Sequence, residues 1–148
     1  MFHPQLSFSA TCVALTAIVA CSSEVPPGPP PLDPLQGASV SFASPSDGAV
    51  VTSPVTLVFE VQGAQVQPAG TVEAGTGHHH ILIGHGAWPL GEIIPADETH
   101  IHYGDGRTQT ELELVPGEYD LTMQFADFMH RSFGEDLAAT IHVTVKEN

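Results

Sequence analysis

Hydrophobic and polar side chains alternate with a period of two through most of the chain after Ala38. Such alternation is typical of β-strands with one face in a core, because successive side chains point to opposite faces of the strand. The series that predict strands are Val40 and Phe42; Val55, Leu57, Phe59 and Val61; Tyr119, Leu121, Met123 and Phe125; and Ile141, Val143 and Val145.

The spacing of turn residues predicts the fold class. Turn signals rich in proline, glycine and aspartate recur about every 8–12 residues, and no stretch sustains the 3.6-residue period of a helix. A single helical turn is predicted over 135–139. Seven to eight short strands with such turns indicate an all-β, immunoglobulin-like antiparallel β-sandwich formed by residues 38–148. Tyr119 after the turn at 115–118 supports this prediction, because these sandwiches bond a tyrosine hydroxyl there to upstream backbone.

The N-terminal segment has the character of an export signal. Leu6–Ala20 is uncharged, and at about 15 residues it is too short to span a bilayer but suits the apolar region of a signal peptide. The segment ends in Ile-Val-Ala-Cys, which resembles the bacterial lipobox. Residues 1–20 are therefore predicted to be a lipoprotein signal peptide, and Cys21 is predicted to be the lipidated residue. The alternative is a buried apolar strand or short helix of the mature fold.

A proline-rich stretch separates this predicted anchor from the sandwich. Six prolines fall between Pro26 and Pro34, and such a stretch has few amide donors and favours an extended, semi-rigid polyproline II conformation. Residues 21–37 are therefore predicted to be a spacer that holds the domain away from a membrane surface. The predicted location is extracytoplasmic, with a lipid anchor in a bacterial membrane, on its periplasmic face or at the cell surface.

The charge balance excludes several classes of partner. The chain carries 17 acidic and only 3 basic side chains, a formal net charge of -14 with histidine neutral. A nucleic-acid binder needs a basic face, and so does a protein that docks electrostatically on anionic lipid.

Of the two cysteines, Cys12 leaves with the predicted signal peptide and Cys21 is acylated. A metal site in the mature chain would then use nitrogen and oxygen ligands without thiolate.

Histidine is frequent, with nine residues, seven of which lie within 78–130. In HHHILI, strand parity places His78 and His80 on one face and the histidine between them on the other. In THIHY, His100 and His102 share a face. Each pair offers two imidazoles about 7 Å apart along its strand, and three or four rings would converge if the two strands were neighbours. Converging imidazoles suit zinc or copper when thiolates are absent.

His130 follows the strand that is predicted to end near Phe125, and it is a further candidate ligand in a loop. Asp127 is a candidate to orient a ligand. His85 in a loop and His142 on a polar strand face are expected to have no special role. The alternative roles for the candidate histidines are hydrogen bonding within a partly buried face and binding of another kind of ligand. The predicted metal ligands are His78, His80, His100, His102 and His130, with copper or zinc as the ion.

Three blocks of sequence together resemble a known family. They are GTGHHHILI at 75–83, IPADETHIHYGDGRTQTELEL at 94–114 and VPGEYDLTMQFADFMH at 115–130. In this order they resemble a bacterial exported domain family of unknown function, whose members carry GTGHHHLLI, HxHFGxGQT and LxPG…ADxxH blocks. The resemblance extends from about Gly63 to the C-terminus. It implies an exported domain and brings no established activity with it.

Three functions are compatible with these features. The first is a membrane-tethered extracytoplasmic sandwich that binds copper or zinc through histidines, for capture or handling of the ion rather than turnover. The second is a non-catalytic binding or structural module of the envelope, whose histidines form only a hydrogen-bond network. The third is a metalloenzyme, which needs a water-open coordination position and a general base such as Asp127. The third ranks lowest, because no carboxylate is placed in the sequence as a convincing base.

Overall fold

Nine strands and one short 3-10 helix are present in the residues that the computed structural model describes, 28–32 and 34–147. The predicted signal peptide, residues 1–20, and the predicted acylation site Cys21 lie outside these residues, as does part of the proline-rich stretch. No helix within the described ranges has the length and apolar character needed to cross a membrane. The elements are β1 (Ser39–Ser44), β2 (Ala49–Thr52), β3 (Val55–Gln62), β4 (Gln65–Val66), β5 (Thr76–Ile83), β6 (His100–Tyr103), β7 (Gln109–Leu112), β8 (Gly117–Ala126), η1 (Glu135–Leu137) and β9 (Ala138–Lys146).

The strands form two sheets. The smaller sheet has three strands in the order β1-β3-β7, and the larger has six, in the order β2-β9-β8-β5-β4 with β6 also paired to β5. Paired strands are antiparallel except β2 beside β9 and β4 beside β5, which are parallel. The predicted all-β sandwich is confirmed, with nine strands instead of seven to eight. Strand β4 has only two residues, too few for alternation to reveal it.

The alternating residues form the core between the sheets. Leu57 and Phe59 project from β3, and Met123 and Phe125 project from β8, each at most 4 % exposed. All four belong to one cluster of packed side chains. Because full burial of one such side chain contributes roughly 1.5–3 kcal/mol, this core between the inner faces of the two sheets stabilises the sandwich.

A tyrosine anchors the turn that leads into β8. The Tyr119 hydroxyl donates a hydrogen bond to the Val115 carbonyl oxygen at 2.9 Å. The predicted interaction of a tyrosine with upstream backbone is therefore present. Together with the strand order of the two sheets, it is typical of immunoglobulin-like sandwiches.

Two loops lie over the outer face of the larger sheet. One connects β5 to β6 and spans 84–99, and the other follows β8 and spans 127–134. Backbone hydrogen bonds join the two loops, one of them from the Ile94 N–H to the His130 carbonyl oxygen at 2.9 Å. As a result β5 is covered on both faces, and every residue of it except Ile83 is buried.

Trp88 belongs to this cover. It packs on a small apolar cluster of Leu82, Ile94 and Ala126. Its backbone N–H donates a hydrogen bond to the Gln124 side-chain oxygen on β8 at 2.9 Å. These contacts fix the β5–β6 loop against the outer face, where the histidines of β5 lie.

Candidate metal centre

Strand β5 places two histidines on the outer face of the larger sheet. His78 is 0 % exposed and His80 is 1 % exposed, and their Nε2 atoms lie 3.1 Å apart. The glycine before them, Gly77, allows β5 and β8 to approach closely, since a Cβ there would meet the Ala126 carbonyl oxygen and the Phe125 ring. The pair is therefore fixed on a central, closely packed strand.

Strand β6 brings a third ring to the pair. In the antiparallel register of β5 and β6, His102 lies opposite His80. The centroid of the His102 ring is 5.0 Å from that of His78 and 5.0 Å from that of His80. Gly104 accommodates this ring, because a Cβ at Gly104 would overlap it. One nitrogen from each of the three histidines lies within 4.8 Å of the other two.

The loop after β8 brings a fourth ring, that of His130. Its φ of 65° is left-handed, and it is the one non-glycine residue with positive φ in the described ranges. The Asp127 carboxylate holds this turn, because it accepts hydrogen bonds from the N–H groups of Met129 at 2.9 Å and Arg131 at 2.8 Å. It also pairs with the Arg131 guanidinium at 2.6 Å. Such a backbone conformation persists only where the surroundings enforce it, so Asp127 positions His130 through the backbone.

The four rings, named here the imidazole cluster, are those of His78, His80, His102 and His130. All six pairs are in contact, with ring centroids 4.7 to 5.8 Å apart. Around a tetrahedral ion with metal–nitrogen distances of about 2.0–2.1 Å, imidazole centroids would lie about 5.2 Å apart and the bound nitrogens about 3.3 Å apart. The observed centroid separations fall around that value.

Three of the four rings bring one nitrogen each to within 4.8 Å of the other two. The Nε2 atoms of His78 and His80 are separated by 3.1 Å, close to the spacing of two nitrogens on one tetrahedral ion. His102 completes the converging set. The His130 ring contacts the other three with its plane steeply inclined to theirs, at 68° to 84°. It is therefore a candidate fourth ligand, and its nitrogens are not among the three that lie close together.

Burial favours the neutral imidazoles of His78 and His80. Removal from water, reinforced by the neighbouring histidines, lowers the pKa of His78 from 6.5 to about 4 and the pKa of His80 to about 2. Removal from water and the proximity of His130 also lower the pKa of His102. A neutral imidazole offers the lone pair that a metal ion needs. The environment therefore disfavours protons and leaves these lone pairs free for a metal.

Few hydrogen bonds satisfy the imidazole cluster. Among the described residues its rings share one, between the Nε2 atoms of His78 and His80. The Nδ1 atoms of the same two residues are buried without a hydrogen-bond partner in the described part of the chain. Buried polar groups in folded proteins are normally hydrogen-bonded. A hydrogen-bond network among the described residues therefore leaves two buried nitrogens unsatisfied, and the 3.1 Å approach of the two Nε2 atoms fits a shared proton or a shared ion.

His100, the fifth predicted ligand, lies outside the imidazole cluster. The register places it opposite Leu82, two residues before His102 along β6. Its Nδ1 is 2.8 Å from an Asp97 carboxylate oxygen, and its ring stacks on that of His85 with centroids 4.6 Å apart. These contacts hold the His100 ring against the β5–β6 loop. Strand parity predicts that His100 and His102 share one face of β6. Of the two, only the His102 ring reaches the imidazole cluster.

His79 points from β5 in the opposite direction, into the core. It is 0 % exposed, and its ring lies 4.8 Å from that of Phe59 and 5.3 Å from that of Phe125. Neither ring nitrogen has a hydrogen-bond partner among the described residues. Burial lowers its pKa from 6.5 to about 4. Strand parity predicts this separation of His79 from its two neighbours.

Two residues that shape the site are not recognised from the sequence. Gly104 lies in the segment Gly-Asp-Gly, which by itself indicates a hairpin turn. That motif does not indicate that the His102 ring packs against the glycine. Arg131 immediately follows a candidate ligand. Its spacing of four residues from Asp127 is the one available signal, because the two side chains pair.

Comparison with known proteins places the chain in a family. The sequence profile of DUF4399, described as a domain of unknown function, matches residues 57–146. The match runs from within β3 to the end of β9 and includes every ring of the imidazole cluster. No curated protein and no solved structure matches the chain. The predicted membership of a domain family of unknown function is confirmed, and the chain belongs to the DUF4399 family.

Proposed function

We propose that this domain binds one transition-metal ion, zinc or copper, through His78, His80, His102 and His130. The observation that carries the proposal is the mutual contact of four rings from three segments of the chain, with centroids 4.7 to 5.8 Å apart. Imidazoles at tetrahedral spacing without thiolate suit Zn²⁺, and imidazole is also a ligand of copper.

The domain captures or carries the ion and does not use it for turnover. A tetrahedral ion with four protein ligands has no position for the water that metal-assisted catalysis requires. The Asp127 carboxylate lies near enough to His78 to influence it electrostatically. It is, however, engaged by the Arg131 guanidinium and by backbone N–H groups. Asp127 therefore serves to hold the turn rather than to accept a proton from a substrate.

The predicted lipid anchor supplies the setting for this activity. Acylation of Cys21 and the proline-rich stretch after it would hold the domain beside a bacterial membrane, outside the cytoplasm. The net charge of -14 raises the local concentration of cations. Labelling of cells with a fatty-acid analogue tests the anchor, with Cys21→Ser as the control. We expect label on the unaltered protein alone, and equal labelling of the variant would contradict the anchor.

Metal analysis of the full chain, purified without a histidine tag, tests metal binding. We expect one zinc or copper ion per chain to bind at micromolar concentration or below. The combined substitutions His78→Ala and His80→Ala should abolish binding. The matched control is His142→Ala, because His142 is exposed on β9 beside Asp120, outside the imidazole cluster. Failure of both metals to bind at micromolar concentration would overturn the proposal.

A structural role for the histidines is the second candidate, and the hydrogen bond between His78 and His80 favours it. In that case no metal binds, and each substitution in the imidazole cluster lowers the stability of the fold. His102→Ala separates the two candidates, since His102 is exposed. Under the proposed function it lowers metal affinity while the free energy of unfolding of the metal-free protein stays nearly unchanged.

A further inference from the structure

His102 differs from the other members of the imidazole cluster in its surroundings. His78 and His80 are enclosed on a central strand, and His130 is held by the turn that Asp127 stabilises. His102 lies on β6, a four-residue strand that pairs with β5 alone among the described strands. It is exposed, and neighbouring imidazoles contact its ring. Of the four candidate ligands, it is the one that solvent reaches most directly.

A cleft opens beside this ring. Its volume is about 460 Å³, and it is lined by His102, Tyr103, Gly104, Asp105 and Arg107. The cleft is shallow and widely open to solvent, so a small ligand can reach it from outside. An ion pair at 2.6 Å ties Arg107 to Asp105, so that part of the wall is already formed. The absence of a side chain at Gly104 leaves the His102 ring directly against the floor of the cleft.

We propose that this cleft receives a nitrogen donor of a small chelate that carries or accepts the metal. This donor replaces His102 on the ion, and the inference therefore rests on the proposed function. One metal–nitrogen bond, to His102, breaks while one bond to the incoming donor forms. The ion keeps its coordination number and charge, and neither a proton nor an electron is transferred. His78, His80 and His130 retain the ion during the exchange. Transfer is completed as the bonds to His78, His80 and His130 break in turn, each replaced by a further donor of the chelate, so that the ion is not released to water.

Rescue of variants by free imidazole tests this proposal. His102→Ala and His78→Ala each remove one imidazole, but only the first leaves a gap that is continuous with the cleft. Co²⁺ is the probe, because its visible absorption reports four-coordinate geometry. We expect added imidazole to restore that absorption in His102→Ala and to raise its Co²⁺ affinity by about tenfold or more, with no effect on His78→Ala. Equal rescue of both variants, or no rescue of His102→Ala, would overturn the proposal.

The unaltered protein separates failure of this inference from failure of the proposed function. If it binds neither Co²⁺ nor zinc nor copper, metal binding itself is refuted. If it binds an ion and His102→Ala is not rescued, only the exchange at the cleft is refuted. Circular dichroism verifies that His78→Ala is folded, and His80→Gln serves as a second enclosed variant if it is not.

The rate of zinc transfer to an imidazole-bearing chelator gives an independent measurement on the folded, unaltered protein. Exchange at the cleft predicts a rate that rises with chelator concentration and falls several-fold in Asp105→Trp, which fills the cleft. The matched control is Glu111→Trp, at an exposed position on β7 of the smaller sheet. A rate independent of chelator concentration, or equal slowing by both substitutions, would contradict the proposal.

Discussion

The two faces of β5 present the same residue type to two environments. On the inner face, His79 lies between the rings of Phe59 and Phe125, and in the described part of the chain its nitrogens have no hydrogen-bond partner. On the outer face, the next residue, His80, contacts three other imidazoles. Both residues are buried, and burial lowers the pKa of both.

This difference shows that burial and a lowered pKa do not by themselves mark a metal ligand. His79 has both properties, but it lies among aromatic rings, and no group of candidate ligands in the described part of the chain includes it. The outer face differs because two rings from β5, one from β6 and one from the loop after β8 lie at one place. Variants matched across the two faces therefore test the candidate site most directly.

The largest effect is expected for metal affinity when a ligand on the outer face is replaced. His80→Leu should lower zinc or copper affinity by a thousandfold or more, about 4 kcal/mol, because it removes a buried candidate ligand of the imidazole cluster. His79→Leu, one residue away and of the same chemistry, should leave the affinity unchanged. Titration calorimetry measures both. Equal losses in the two variants would show that the fold, and not the outer face, determines binding.

The stability of the metal-free protein should depend on pH through its buried histidines, to which the inner face contributes His79. The folded pKa of His79, about 4, lies below the 6.5 of an unfolded chain, so the unfolded state takes up a proton first as the pH falls. The free energy of unfolding is therefore preserved above pH 6.5 and decreases between pH 6.5 and about 4, by about 3 kcal/mol from His79 alone. Urea unfolding across this range measures the decrease.

His142→Ala is the control for this titration, because the exposed His142 lies outside the core. Its stability should decrease with acid as steeply as that of the unaltered protein. His79→Leu should show a shallower decrease. An unaltered slope in His79→Leu would mean that the core imidazole does not remain neutral in the folded state.

At neutral pH, His79→Leu should raise the free energy of unfolding by about 2 kcal/mol. The substitution replaces a buried imidazole that lacks hydrogen-bond partners, and leaving such a group unsatisfied costs about 1–3 kcal/mol. Thermal or urea unfolding of the metal-free protein measures the change. A lower midpoint in the variant would show that packing of the ring on Phe59 and Phe125 outweighs the cost of its unpaired nitrogens.

The smallest effect is expected at Gly104, which contributes no ligand. Gly104→Ala should lower zinc affinity about tenfold, because the new Cβ displaces the His102 ring, while stability changes little. Gly86→Ala is the matched control, since a Cβ at Gly86 meets no atom within 4 Å. Competition with a zinc chelator measures both affinities. An unchanged affinity in Gly104→Ala would mean that zinc binding does not depend on the position of the His102 ring beside Gly104.

Alternation and turn chemistry were sufficient to predict the sandwich and the separation of His79 from His78 and His80. Each of these features depends on local geometry, because the side-chain period of a strand is fixed and does not depend on its neighbours. The same holds for Tyr119, whose hydroxyl bonds to backbone only four residues upstream.

The composition of the imidazole cluster depends on non-local geometry, and the sequence alone could not resolve it. The register of β6 against β5 places His102, and not His100, opposite His80. That register follows from the path of the 84–99 loop, which strand periodicity does not encode. The position of His130 depends in turn on a left-handed residue and on the contacts of Asp127, which no pattern of hydrophobic residues indicates.

The hydrogen bond between Ile94 and the His130 carbonyl oxygen joins the two loops that cover the outer face. An ion held by His130 and by the strands beneath it would tie both loops to the sheet and make their local opening rarer. Proteases attack opened segments of a folded chain. The lifetime of the protein would then follow the supply of metal, and a starved cell would degrade the domain faster than a replete one.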